Sequence, residues 1–364
     1  MPDSQSQHKL LGLEWIRFIA AFAILIWHYQ HFAFVGYQPV DFVKEQQPFY
    51  SLFKPLYDYG GLGVQLFWCI SGFIFFWKYR EPICQKTVDG KAFFILRFSR
   101  LYPLHFITLV AMAGLQISYF QGHGVFFVDA NNDWRHFIPQ LFLASNWGGQ
   151  GYSFNAPIWS ISIEVLVYCF FFLVLRVFGG TTWITLTVLG ICAWIKVHDL
   201  TQSLIVNCVV YFYLGGLTVD IFHKLNKTPW QKWALAFCFL VILTPWVEQV
   251  ESFFNQHREI WMMLYFPFVV YFFATPFRLN QSLDRSIQTL GNLTYASYLI
   301  NFPLQLLIVL FFGLLGIEIP FYDPKFFILF MGSALFLSYL VYQCYEKPWQ
   351  DRIRQIRFSK SSNP

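Results

Sequence analysis

The sequence predicts an all-α membrane protein, a polytopic bundle of about ten transmembrane helices with both termini in the cytoplasm. Three observations predict it. Of 364 residues, 56% are hydrophobic and only 12% charged, where a soluble domain carries about 25% charge. Apolar runs near the roughly 20 residues that cross a bilayer as one helix recur along the whole chain. Lysine and arginine gather in one alternate set of the connections between those runs. The mean hydropathy of +0.46 agrees. The net charge of +5 therefore reports topology and predicts no nucleic-acid partner.

The ten runs lie at 13–34, 59–77, 101–120, 157–178, 182–198, 202–221, 233–247, 260–275, 291–315 and 325–345. The fifth, seventh and eighth are short, and 137–147 reads as a re-entrant or interfacial piece. With the amino terminus inside, the inner connections collect Lys78, Arg80, Lys86, Lys91, Arg97, Arg100, Arg176, Lys224, Lys227, Lys232, Arg278 and Arg285. The outer set holds Lys44, Lys54, Arg135, Lys196, Arg258 and Lys325. This places the chain as a multi-pass protein of the cytoplasmic (inner) membrane, in contact with membrane lipid. Met1–Leu10 reads as a short tail before the first span, not as a signal peptide. Residues 1–345 are expected to form one transmembrane domain. Residues 346–364, with Lys347, Arg352, Arg354, Arg357 and Lys360, read as a basic cytoplasmic tail lying along the anionic inner leaflet.

Seven cysteines occur, none spaced as C-x-x-C and six of them in apolar runs. They read as small buried hydrophobes, so neither disulfides nor a metal site is expected.

The chain is organised around the first span. It carries Glu14, Arg17, His28 and His31 inside an otherwise apolar run. At about 100° per residue all four fall on one stripe. A charge near the bilayer centre costs at least about 2.5–3.5 kcal/mol, so the stripe should face protein or a wet cavity. Arg17 then sits in the inner half and His28 in the outer half, roughly 16 Å apart along the axis. His28 has the chemistry of a proton acceptor near neutral pH; a histidine that merely hydrogen-bonds a neighbour is the plain alternative, and for His31 it is the stronger reading. Glu14 can pair with Arg17 at i, i+3 spacing.

Other polar groups fall at span ends. Gly60, Gly61, Gly63 and Gly72 in the second span read as close helix packing, with Gln65 and Ser71 as inward polar contacts. Arg97 and Arg100 share a face just before Tyr102-Pro103, taken as the start of the third helix. Two guanidiniums beside a helix amino terminus suit a phosphate, with ordinary positive-inside decoration as the alternative. In the fourth span Asn155 or Ser153 can cap the helix, and Pro157 suits its first turn. Glu164 then falls at about the depth of His28, where a buried carboxylate needs a partner. The outer loops 35–58 and 121–156 hold Tyr37, Asp41, Asp129, Asn131, Asp133 and Trp134, types that bind sugars but also line any solvated loop.

These pieces together resemble the acyltransferase 3 family of integral membrane O-acyltransferases that modify bacterial surface glycans. The matching residues are Leu13-Glu-Trp-Ile-Arg17 with His28, Gly63-Val-Gln-Leu-Phe with Ser71-Gly-Phe, Arg97-x-x-Arg100 before Tyr102-Pro, and Trp159-Ser-x-Ser-x-Glu164. Gly291 with Tyr295 and Ser297-Tyr-x-Leu, and Glu346-Lys-Pro348, complete the set. The resemblance implies acyl-CoA, typically acetyl-CoA, as co-substrate and a glycan or lipid-linked saccharide hydroxyl as acceptor, with no metal. It implies Arg17, His28 and Glu164 as catalytic residues and Arg97 and Arg100 on the CoA; Glu14, Ser160 and Tyr298 are the candidate substrate-binding residues. Many members carry His where Asn301 stands, and an acidic residue is common where Gln65 stands.

The expected reaction brings acyl-CoA from the cytoplasm, its phosphates on Arg97 and Arg100 and its pantetheine arm along the stripe past Arg17. His28 takes the proton of the acceptor hydroxyl, with Glu164 orienting it or the acceptor, or His28 itself carries the acyl group. The competing class is a transporter or flippase of a lipid-linked or exported glycan, since intramembrane Glu, Arg and His also mark transport pathways.

Overall fold

The computed structural model describes residues 10–201, 203–246, 256–276 and 280–359. Arg278 and Lys360 of the topology count lie outside the described residues. The helices are α1 (Leu11–His28), α2 (Tyr50–Tyr59), α3 (Gly63–Cys84), α4 (Gly90–His123), α5 (Trp134–Leu141), α6 (Ile158–Phe178), α7 (Thr182–Val197), α8 (Leu204–Leu225), α9 (Gln231–Leu243), α10 (Arg258–Ala274), α11 (Gln281–Leu315), α12 (Pro324–Val341) and α13 (Lys347–Ser359). Among the described residues the sheet is one hairpin, Phe34–Val35 with Gln38–Pro39. Gly36, at φ +64°, takes the first position of its two-residue turn, where a left-handed backbone is needed.

Seven helical stretches among the described residues are long and apolar enough to cross a membrane: Leu11–Ala33, Tyr50–Cys84, Gly90–His123, Ile158–Phe178, Leu204–Leu225, Gln281–Leu315 and Pro324–Gln355. The three short predicted spans are also helical, as α7, α9 and α10, of 16, 13 and 17 residues.

Two compact units divide the chain. The first comprises Met1–Ile19, Val64–Val88 and Cys169–Gly291; the second comprises Ala20–Gly63, Asp89–Tyr168 and Asn292–Pro364. In the first, α3 and α8 approach so closely that a Cβ on Gly72 would strike the Phe212 backbone, and one on Gly215 the Cys69 backbone. Phe75, Phe171 and Phe212 fill the adjoining space edge to face. In the second unit one core gathers Leu25, Ile26, Tyr29 and Phe32 with Phe327, Phe330 and Met331 of α12. Another joins Leu109, Met112 and Tyr119 of α4 with Phe302 and Leu306 of α11. Gly60 and Gly63 let their turn sit on Ala23 and Ala20 of α1, the packing role expected of them.

Several expectations are corrected. The first span is not one α-helix: after His28 it tightens into a 3-10 turn, Tyr29–Ala33. The third helix does not start at Tyr102. Asp89 caps it thirteen residues earlier by accepting from the Ala92 N–H at 2.6 Å, and Pro103 lies inside it. Arg97 and Arg100 are therefore mid-helix, and no helix amino terminus assists them. Asn155 does not cap α6, because its side chain is used elsewhere. Beyond residue 346 the described chain forms α13, which packs on α4, with Arg354 Nε donating to Ser99 Oγ at 3.3 Å. Of the cysteines, Cys169 and Cys344 are exposed rather than buried.

Candidate functional site

In the first unit, Glu14 and Arg17 form the i, i+3 ion pair, with Arg17 Nη1 at 3.0 and 3.2 Å from the two carboxylate oxygens. Gly291 makes this possible, since a Cβ there would collide with the Glu14 side chain. A second ion pair, missed in the sequence, joins Arg80 to Asp220 at 2.5 Å, with Thr182 Oγ1 donating to the other Asp220 oxygen at 2.8 Å. It borders a cavity of about 850 Å³ that also touches Cys84, Trp183 and Lys224. A lone carboxylate in an apolar run, Asp220, was the available signal.

In the second unit His28 ends α1. The 3-10 turn that follows has three residues per turn, so His31 lies beside His28 rather than drifting round the helix, with ring centroids 5.1 Å apart and planes tilted by 38°. The His31 ring also meets Phe302 at 5.7 Å. Gln305 on α11 donates from Nε2 to the His28 carbonyl at 2.9 Å and turns its amide toward His31. One turn earlier stands Asn301, 1% exposed.

Pro303 explains the local shape of α11. It lacks the N–H that would bond the Leu299 carbonyl. Asn155, fully buried, supplies the missing donor: its Nδ2 lies 3.0 Å from that carbonyl. Close by, Tyr298 Oη donates to the Pro157 carbonyl at 3.0 Å and lies 2.9 Å from Ser160 Oγ. Ser160 and Tyr298, predicted together as substrate residues, are thus brought together, and both are buried.

Glu164 falls elsewhere than expected. The Asn155 and Ser160 contacts set the start of α6 level with residues 298–299 of α11. Glu164 lies a turn or more further along α6, where it accepts from Tyr168 Oη and its charge acts on Tyr295 and Tyr298. Gln305, the partner of His28, is in the opposite direction, so Glu164 is separated from the level of His28 by roughly 15 Å along the helices. The depth reading failed because α6 begins deeper than a count from its first apolar residue implies. Glu164 instead shares its surroundings with Arg100 and Glu346, whose charges act on the same Tyr295 hydroxyl. Tyr295 donates to the Leu101 carbonyl at 2.6 Å, just past the arginine pair.

Arg97 and Arg100 flank Ser99, which is fully buried and receives Arg354. Tyr345 Oη donates to the Pro103 carbonyl at 3.3 Å and fixes α13 there. Arg354 is thus brought to the stretch of α4 that carries Arg97 and Arg100. In the sequence Arg354 was one of several tail cations, with nothing to single it out. Glu346, 2% exposed, sits in a π-helical turn before α13, a local form common at functional sites.

Of the outer-loop candidates, Asp129 stands out. Burial pushes its carboxyl up to about 7, and one of its oxygens has no hydrogen-bond partner. The neighbouring Tyr152 hydroxyl is raised by burial and then by the Asp129 charge. Tyr152 meets Trp159 at 5.8 Å between centroids. Asp133 caps α5, accepting from the His136 N–H at 3.0 Å, and is a structural residue. No group of three or more metal-ligating side chains occurs among the described residues.

Comparison with known proteins gives this arrangement a family. "Acyltransferase MdmB" of Streptomyces mycarofaciens is 28% identical over 166 residues, 45% of this chain and 38% of that protein. The chain thus spans well under half the length of that relative. "Putative acetyltransferase ORF330" of Acidianus two-tailed virus is 23% identical over 281 residues, 74% of this chain and 80% of that one. No solved structure matches. The family model described as an acyltransferase domain matches residues 10–343, nearly the whole chain. The protein belongs to the acyltransferase 3 family and carries its acyltransferase domain across its apolar helices.

Proposed function

We propose that the protein transfers an acyl group, acetyl in the first instance, from cytosolic acyl-CoA to a hydroxyl of a surface or exported glycan. Both termini lie in the cytoplasm in this reading, ten helices cross the cytoplasmic membrane, and the inner ends carry Arg97, Arg100 and Arg354. The carrying observation is the His28–His31 imidazole pair at the end of α1, backed by buried amides and set inside an acyltransferase domain. The acetyl preference is supported by one relative being named an acetyltransferase.

In this reading Arg97 and Arg100 hold the CoA phosphates, and the Arg354 guanidinium at Ser99 adds a third cation to that place. Arg17, anchored by Glu14, keeps a positive charge on the face of α1 that also bears His28. His28 accepts the proton of the attacking hydroxyl as it adds to the thioester carbonyl, and CoA leaves as the thiol; alternatively His28 takes the acyl group first and passes it on. Glu164, on the Arg100 side, acts as a positioning residue that offsets the arginine charge.

The test compares surface polysaccharide from cells with and without the gene by NMR. Loss of O-acetyl signals from an otherwise intact polymer is expected. Loss of the polymer itself, or an unchanged acetyl content, would instead favour a transporter.

A further inference from the structure

Resting on the acyl-CoA reading above, we propose that Asn301 and Gln305 form a two-rung amide track for the pantetheine arm, ending at the His28–His31 pair. Asn301 is 1% exposed, and both its Oδ1 and its Nδ2 lack a hydrogen-bond partner; Gln305 is fully buried, with Oε1 in the same condition. Buried amides are almost always bonded, so atoms of this kind within one helical turn mark a place where a ligand supplies the partners. Asn155 Oδ1, buried and unpartnered in the same unit, extends the set.

The spacing selects the ligand chemistry. Residues 301 and 305 are i and i+4, so they share a face and stand about 6 Å apart along α11. Pantetheine carries two amides joined by a β-alanine unit. That step is one carbon longer than the 3.80 Å of an α-peptide, hence roughly 5 Å. Asn301, with donor and acceptor both available, can take the C=O and N–H of the amide nearer the phosphates. Gln305 commits one of its two amide hydrogens to the His28 carbonyl, and its Oε1 is left to accept the cysteamine N–H. Two methylenes further, the thioester sulfur arrives at the imidazoles. A hydroxyl-rich sugar would satisfy single amides as well, but it does not present two amides at the one-turn spacing of this pair.

The experiment measures binding to the purified full chain in detergent of CoA and, separately, of 3′-phosphoadenosine 5′-diphosphate, which has the phosphates and no pantetheine. Wild type is compared with Asn301→Leu, Asn301→Asp and Gln305→Leu. Each variant should weaken CoA about tenfold, the size of one or two buried hydrogen bonds, and leave the bisphosphate nucleotide unchanged. Asn301→Leu should also melt at or above the wild-type temperature, because it removes polar atoms without protein partners. Unchanged CoA affinity in the Asn301 variants, an equal loss for both ligands, or a lower melting temperature for Asn301→Leu overturns the track. Failure of the acyl-CoA reading is distinct: wild type would then bind neither ligand.

Discussion

Asn155 donates to the carbonyl of Leu299, the group that Pro303 leaves without a helical partner. A gap in one helix's hydrogen bonding is thus closed by a loop residue 144 positions away in sequence, and the same loop brings Pro157 and Ser160 to Tyr298. Asn155→Ala should destabilise the protein by about 1–3 kcal/mol, the cost of an unsatisfied buried carbonyl. Thermal unfolding of the purified protein in detergent checks this. Asn155→Asp cannot donate and should not rescue it.

The Arg80–Asp220 pair should behave as a structural unit. Removing one partner, as in Asp220→Asn or Arg80→Met, leaves a buried charge and should cost on the order of 3 kcal/mol. The double variant Arg80→Met with Asp220→Leu should recover much of that loss. A denaturation series on the three proteins measures the coupling.

Asp129 predicts a pH effect on the outer loop. Burial pushes its folded carboxyl up from the ordinary 3.8 to about 7. A raised carboxyl means that the folded state holds the proton more tightly than the unfolded one. Stability is therefore full below about pH 4 and declines as pH rises to about 7. Melting temperatures measured from pH 4 to 8 should show this slope in wild type and a flatter one in Asp129→Asn.

Arg97→Ala with Arg100→Ala should weaken CoA and 3′-phosphoadenosine 5′-diphosphate alike, since both ligands carry the phosphates. Arg354→Ala should do so by a smaller factor. Titration of each ligand against the purified variants distinguishes this pattern from the pantetheine-specific one expected at Asn301.

Much of the bundle was legible because lipid imposes long apolar runs, and among the described residues each of the ten runs falls on a helix. The Glu14–Arg17 pair and the His28–His31 neighbourhood were also legible, since both are local in one span. What failed was relative depth. Glu164 was set level with His28 by counting from the start of each run, but Asn155, held at Leu299, starts α6 deeper. Arg354 escaped notice for a related reason: its place at Ser99 depends on α13 folding back on α4, which no periodicity encodes. The start of α4 was misread because Pro103 looks like a first-turn proline until Asp89 is seen capping the helix upstream.

The central claim is that His28 carries the transfer from acyl-CoA. The most direct measurement is label transfer from [acetyl-14C]-acetyl-CoA to polysaccharide in membranes holding wild-type or His28→Ala protein at matched levels. The account predicts a fall of about 100-fold or more in the variant, with CoA affinity within a few-fold of wild type. Transfer at the wild-type rate by the His28→Ala protein would contradict it.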